Sequence, residues 1–214
     1  MGILNNGILG GFRNKVGTVI GRKFRDKDLI VGLYRESTKP EKEGEILQQN
    51  RFRMLNYFLN YLKSVVGPGF KQYAKKKSAL NAAHSYNYGH AFIVEGGVLK
   101  LNFPKMVYSR GNVSIPNCPT VALSAPQQLT FTWLPEGENQ FTRGSDKATF
   151  VVWMENNDKP LLILIDAAAR SALGFSMEIP GNLGVETLHC YMSFRNASGK
   201  LVGNSFYVGA VEVV

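Results

Sequence analysis

Residues 120–134, TVALSAPQQLTFTWL, predict two short β-strands, Thr120–Ser124 and Leu129–Leu134, separated by a turn that contains proline. Strands of this kind recur about every ten residues, with turn residues between them, up to the end of the chain. The further predicted strands are Ala148–Met154, Leu161–Ile165, Phe175–Ile179, Thr187–Phe194 and Ser205–Val213. Seven strands at this spacing are typical of an all-β sandwich built from two packed sheets.

The charge of the chain changes just before these strands. Residues 1–114 contain 19 Lys and Arg against 7 Asp and Glu, whereas residues 115–214 contain 6 against 9. Pro116 and Pro119 lie at this change, as is typical of a linker. We therefore predict two domains: a basic module of β-hairpin and helices at residues 1–118, and the β-sandwich at residues 119–214.

Glycine and basic residues are frequent near the start of the chain, in NNGILGGFRNKVGTVIGRKFRDKDLIVGLY at residues 5–34. The period-two pattern of Val16–Phe24 and the apolar run Leu29–Tyr34 predict the two strands of a β-hairpin. The polar residues Arg25–Asp28 are predicted to connect them. Glycine weakens a strand, so the glycines within this segment indicate bulges or a sharp bend.

Two helical segments are predicted after the hairpin. Apolar residues at spacings of three and four predict an amphipathic helix over residues 45–66, which Gly67-Pro68-Gly69 ends. A second helix is predicted over residues 70–87, and Gly96-Gly97 predicts a tight turn between two short strands. The predicted fold class is α+β, with an N-terminal β-hairpin plus two-helix module followed by a seven-stranded β-sandwich.

Three segments of the seven-stranded region, Leu129–Trp133, Ile179–Leu183 and Asn196–Lys200, have the features of one known fold. The first resembles the second strand of a fibronectin type III domain with its core tryptophan. The others resemble the turn before the long sixth strand of that fold and its last hairpin loop. The resemblance implies a fibronectin type III/Ig-like sandwich, a fold that hosts many unrelated binding functions.

Short segments along the whole chain are shared with one protein family. They are Asn6–Phe12, Lys15–Val19, Gln49–Phe58, Ser78–Asn87, Ser109–Asn112, Asp146–Ala148, Ala169–Ser171 and Asn204–Gly209. On these residues the chain resembles a bacterial family of basic proteins of unknown function. That family defines no catalytic residue, so the resemblance implies a shared fold and leaves the function open.

No residue pattern in the sequence has the spacing of a catalytic or metal site. His84, His90 and His189 are too scattered to share a metal ion, and His189 and Cys190 are neighbours on a strand, so their side chains point to opposite faces. Asp166 and Arg170 are close enough in sequence to form a local ion pair or a ligand site, although such a pair more often braces a loop. We therefore expect a non-enzymatic protein without metal, cofactor or small-molecule substrate.

Basic residues of the N-terminal half are the strongest candidates for a binding surface. On the hairpin and the helical segments they are Arg13, Lys15, Arg22, Lys23, Arg25, Arg51, Arg53, Lys71, Lys75, Lys76 and Lys77. Aromatic residues lie among them, and this combination can follow a phosphate backbone and stack bases. The alternative is that the charges are scattered and the aromatics form the core, which helical spacing favours for Tyr73 and Tyr86.

The lack of reactive residues beside an adhesive type of fold favours a structural or interaction protein. We expect it to assemble with itself, as a homo-oligomer, or with other proteins through its N-terminal module. The alternative is a nucleic-acid-binding protein that uses the basic half. No secretory signal or membrane span is predicted, and two cysteines make no disulfide framework. We therefore expect a cytoplasmic protein, free or part of a virion-like or other assembly.

Overall fold

The computed structural model describes residues 3–4, 11–24, 27–34, 40, 42–156, 159–181 and 183–213. Within these ranges the secondary structure consists of three α-helices and antiparallel strands in several sheets. The predicted α+β class is therefore confirmed. Contacts within the chain group it into two compact units, Met1–Glu43 and Gly44–Val214.

The first unit contains an antiparallel sheet of four strands. In spatial order they are β1 (Ile3–Leu4), β2 (Phe12–Val16), β3 (Val19–Phe24) and β4 (Lys27–Gly32). The β3–β4 pair corresponds to the predicted hairpin, and β1 and β2 extend it into a sheet that the sequence pattern did not predict.

Two details of the predicted hairpin are wrong. The strand predicted to run unbroken from Val16 is interrupted by a turn at Gly17 and Thr18, where Gly17 has φ 58°. Glycine adopts this left-handed conformation without the strain that a side chain would cause. Lys27 lies not in the connection between the strands but in β4, where it pairs with Phe24.

The helices are α1 (Glu43–Tyr61), α2 (Lys63–Gly69) and α3 (Ala79–Asn87), with a 3-10 helix at Lys71–Tyr73. The predicted helix end at residues 67–69 is wrong, because α2 includes all three. Burial of α2 against the core holds this turn in place although its residues are poor helix formers.

The second predicted helix, over residues 70–87, is correct only in its C-terminal half. The Ser78 hydroxyl oxygen accepts a hydrogen bond from the Asn81 backbone N–H at 3.1 Å and thereby caps the first turn of α3. The three consecutive lysines 75–77 therefore lie in an irregular segment before α3 rather than on a helix. Beyond α3, β5 (Phe92–Glu95) and β6 (Val98–Leu101) form the predicted two-stranded hairpin.

Seven antiparallel strands follow, and each overlaps one of the seven predicted strands. They are β7 (Asn117–Ala125), β8 (Gln128–Leu134), β9 (Lys147–Met154), β10 (Lys159–Ala169), β11 (Gly174–Glu178), β12 (Glu186–Arg195) and β13 (Phe206–Val213). One sheet has the order β11-β8-β7 and the other the order β10-β9-β12-β13. Side chains of both sheets, including Phe131 and Phe150, form one buried cluster.

A second buried cluster joins the helices to the four-stranded sheet β10-β9-β12-β13. Phe58 of α1 contacts Trp153 of β9, with ring centroids 4.5 Å apart, and Tyr191 of β12 belongs to the same cluster. The central strands β9 and β12 of this sheet are therefore buried on both faces, which explains why nearly every residue of β9 is buried. The predicted domain boundary at 118/119 lies within β7, and both sides of it belong to the compact unit Gly44–Val214.

Candidate anion-binding surface

Arg110 stacks on two tyrosine rings at the surface of the second unit. Its guanidinium lies 4.0 Å from the centroid of the Tyr86 ring and 4.6 Å from that of Tyr73. The backbone N–H of Arg110 donates to Gly69 O at 3.0 Å, and the Gln72 side-chain amide donates to Arg110 O at 3.0 Å. We call Tyr73, Tyr86 and Arg110 the tyrosine–arginine cluster.

The two tyrosines of the cluster are not core residues, contrary to the interpretation that helical spacing favoured. Tyr73 is 40% and Tyr86 38% exposed. Phe70 takes the buried position instead, with its ring centroid 6.1 Å from each tyrosine ring. The cluster thus presents aromatic surface to solvent above an apolar base.

Lysines line two concavities to which residues 68–73 contribute. A concavity of about 330 Å³ contains the cluster together with Lys77 and Ser85. A second concavity of about 330 Å³ is lined by Lys71, Gln72 and Lys200, among others. Lys71 directly follows Phe70, which lines the first concavity, so consecutive residues of the segment 68–73 contribute to both concavities.

Carboxylates are almost absent from this part of the chain. Residues 46–135 contain ten Lys and Arg but a single acidic residue, Glu95. Glu95 pairs with Lys100 at 3.2 Å. In the part of the chain that the structure describes, the side chains of Arg110, Lys71 and Lys77 have no ion-pair partner. Their positive charge is therefore available to an anion from outside the unit.

The other predicted basic residues of the helices lie elsewhere. Arg51 is half-buried, with its guanidinium 5.7 Å from the centroid of the Phe92 ring. Arg53 lines a groove of about 1000 Å³ between α1 and α3, together with Phe52 and His84. Burial lowers the pKa of His84, a backbone hydrogen bond involving Phe52 opposes this, and the ring nitrogen Nε2 is buried without a hydrogen-bond partner. Lys75 and Lys76 are exposed in the segment before α3.

The first unit carries its predicted basic residues on an exposed sheet. Arg13, Lys15, Arg22 and Lys23 are all exposed. Strand pairing places Lys15 opposite Ile20 and Arg22 opposite Leu29, whereas Lys23 lies opposite Asp28. Alternation along β3 puts Lys23 on the face opposite to Arg22. Lys15 pairs with Ile20, which is two residues from Arg22, so Lys15 and Arg22 lie on the same face and Lys23 on the other. Arg25 lies outside the described residues.

Asp166 and Arg170 both form ion pairs, but with residues that are distant in sequence. The Asp166–Arg170 pair that the sequence allowed does not form: Asp166 pairs with Arg195, and Arg170 pairs with Asp146 at 3.2 Å. The strand register across neighbouring strands determines these partners, not proximity in sequence.

His189 and Cys190 point to opposite sides of their sheet, as strand alternation predicts. His189 hydrogen-bonds to Glu155 and Tyr207, whereas Cys190 lies in the sandwich core, where burial raises the pKa of its thiol to about 12. Within the described ranges there is no group of three or more His, Cys, Asp or Glu side chains that could hold a metal ion.

Two residues of the surface were missed by sequence reasoning. The sequence patterns include Arg110 only as part of the Ser109–Asn112 segment, and Lys200 only as part of a hairpin loop. The scarcity of carboxylates over residues 46–135 is the sequence signal that could have identified the region. The contact of Arg110 with Tyr73 and Tyr86 could not be found this way, because it depends on the packing of residues far apart in the chain.

Fold and surface together define an α+β protein with a basic, partly aromatic surface. The chain belongs to a family of unknown function, DUF6266, whose match covers residues 11–209. No curated protein and no solved structure matches the chain. Of the helices that the structure describes, none is both long and apolar enough to span a membrane.

Proposed function

We propose that this protein is a non-enzymatic interaction protein that assembles with itself or with other proteins through the N-terminal sheet β1–β4. The observation that carries the proposal is the exposure of this sheet. Among the described residues of β2, β3 and β4, Gly21 is the only one that is buried. A sheet with so little buried surface is marginally stable in water, so a partner that covers it would stabilise it.

Strand β4 is the most suitable part of the sheet for such a contact. Within the described residues β4 pairs only with β3, so its other edge is open to strand addition. Ile30, in the middle of β4, is 68% exposed because it lies opposite Gly21, which has no side chain to cover it. An exposed apolar side chain on an open edge favours a protein partner.

The experiment that tests assembly is size-exclusion chromatography with light scattering over a wide concentration range. We expect the wild-type chain to associate and the Ile30→Lys variant to associate at least about tenfold more weakly, as for a central interface residue. Val94→Lys is the matched control, since Val94 is 63% exposed on β5 of the other unit. A wild-type chain that stays monomeric at every concentration, or equal weakening by both variants, would count against self-assembly.

We further propose that the seven-stranded part is a fibronectin type III/Ig-like sandwich that serves as a binding or spacer domain. The division of the strands into sheets of three and four, packed over one core, supports this assignment. We place the protein in the cytoplasm or in a virion-like or other assembly. The free thiols of Cys118 and Cys190 support a reducing compartment.

A second candidate function is nucleic-acid binding by the basic half of the chain. The observation in its favour is the ratio of ten basic residues to one acidic residue over residues 46–135. Fluorescence anisotropy with a labelled oligonucleotide tests it, and the affinity is expected to fall steeply as the salt concentration rises. A wild-type chain that leaves the anisotropy unchanged at low salt would exclude this function.

A further inference from the structure

We propose that the tyrosine–arginine cluster and the lysines beside it form a site for single-stranded nucleic acid. In this site bases stack on Tyr73 and Tyr86, and phosphates contact Arg110, Lys71, Lys77 and Lys200. The inference rests on the second candidate function and narrows it to one surface of the second unit. Lys200 adds a residue from outside the basic half of the sequence.

Arg110 is the first reason for this assignment. Its backbone is held on both sides, by Gly69 and Gln72, so the position of the side chain is fixed by the fold. The guanidinium carbon lies 4.0 Å from the centroid of the Tyr86 ring, yet the guanidinium forms no hydrogen bond to any residue that the structure describes. A half-buried guanidinium with its donors unused is suited to phosphate, which accepts two parallel hydrogen bonds from arginine.

The exposed tyrosines are the second reason. The rings of Tyr73 and Tyr86 pack on Phe70, which holds them in place. Both rings are partly exposed, and this exposed area is available for stacking with a base. Base–aromatic stacking requires unpaired bases, because the bases of a duplex already stack on one another. The rings therefore favour a single strand over a duplex. They also favour a nucleic acid over an acidic peptide, which would use the charges and leave the rings bare.

The arrangement of the lysines is the third reason. Lys77 lines the concavity that holds the cluster, and Lys71 and Lys200 line the second concavity. Together the two concavities give a basic path along residues 68–73, in a region where the only acidic residue, Glu95, is paired with Lys100. A phosphate backbone needs such a path of successive positive charges.

The test uses the full-length chain and a labelled single-stranded oligonucleotide of about 16 nucleotides, the upper size of sites of this kind. We expect the Tyr73→Leu/Tyr86→Leu variant to bind at least about fivefold more weakly, the loss that one stacked base would cause, with an unchanged salt dependence. We expect Lys77→Gln to reduce the slope of log affinity against log salt by about 0.7. Leucine keeps the apolar contact with Phe70, and unchanged thermal unfolding would show that both variants fold.

The matched controls are Tyr34→Leu, which removes an exposed tyrosine of the first unit, and Lys105→Gln, which removes an exposed lysine away from both concavities. If the wild type binds no nucleic acid at low salt, the second candidate function fails and this inference fails with it. If the wild type binds but the tyrosine variant binds equally well, only the site assignment is wrong. The site assignment would also be overturned if polyglutamate or duplex DNA displaced the labelled oligonucleotide as strongly as the unlabelled single strand does.

Discussion

Replacing Arg170 with methionine should destabilise the second unit far more than breaking an exposed ion pair of the same unit. Arg170 is 4% exposed. Its Nε donates to Asp146 at 3.2 Å, its Nη2 donates to Ser114 O at 2.7 Å, and its guanidinium lies 3.8 Å from the centroid of the Phe194 ring. Burial lowers the pKa of Arg170, and the carboxylates of Asp146 and Glu136 oppose this change.

The expected loss follows from the carboxylate that would remain. Asp146 is 2% exposed, so methionine at position 170 would leave a buried carboxylate without its cation. Breaking a buried ion pair in this way costs about 3–5 kcal/mol. For a unit of this size each kcal/mol corresponds to about 2–4 °C, so the melting temperature should fall by about 6–20 °C.

The assay is urea unfolding followed by circular dichroism, with the Asp166–Arg195 pair as the internal comparison. Arg195→Met breaks an Arg–Asp pair of the same chain whose side chains are partly exposed, and the expected cost is about 1 kcal/mol or less. Asp146→Asn removes the buried carboxylate charge that Arg170→Met leaves unpaired. The double variant Asp146→Asn/Arg170→Met should therefore lose less stability than the sum of the losses of the two single variants. Equal destabilisation by Arg170→Met and Arg195→Met would refute the reasoning.

Two further predictions concern the N-terminal sheet and the response to pH. Gly21→Val should disrupt the sheet, because a Cβ atom at Gly21 would lie 2.0 Å from the Phe12 carbonyl oxygen. Assembly, measured by light scattering, should then be abolished, while the main unfolding transition, measured by calorimetry, should be unchanged. Burial lowers the pKa of His189 below its ordinary value of 6.5, so the unfolded state binds a proton more readily and stability should decline as the pH falls below 6.5. In the His189→Gln variant the midpoint of urea unfolding should depend less on pH between about pH 7.5 and pH 5. An unchanged pH dependence would show that other groups cause it.

Much of the seven-stranded region could be predicted from sequence because its signals are local. Strands such as Leu129–Leu134 alternate in polarity and are bounded by turn residues, and the structure has a strand at each predicted place. Local signals failed where packing opposes them. The Gly67-Pro68-Gly69 segment predicts a helix end, yet α2 continues to Gly69 because Val65 and Val66 anchor it in the core.

The packing of the helices on the sheet could not be predicted because it depends on contacts between distant segments. The change in charge near residue 114 suggested a boundary, whereas Phe58 of the helices packs on Trp153 of the sheet. The same limit applied to the candidate site. Helical spacing favoured Tyr73 and Tyr86 as core residues, but spacing alone does not show that Phe70 already occupies the buried position beneath them.

Two of the segments on which the chain resembles its family, Ser109–Asn112 and Asn204–Gly209, are joined by hydrogen bonds next to the candidate site. The Ser109 hydroxyl donates to Gly203 O at 2.7 Å, and the Gly111 N–H donates to Asn204 Oδ1 at 3.0 Å. A Cβ atom at Gly111 would lie 1.9 Å from the Val202 carbonyl oxygen, so the two backbones are in direct contact there. Arg110 lies between these two braced residues, yet its own side chain points away from the brace and onto the tyrosines. The fold therefore fixes the backbone of Arg110, while its guanidinium donates no hydrogen bond to the residues that the structure describes. Those donors are the groups that the proposed phosphate contact would use.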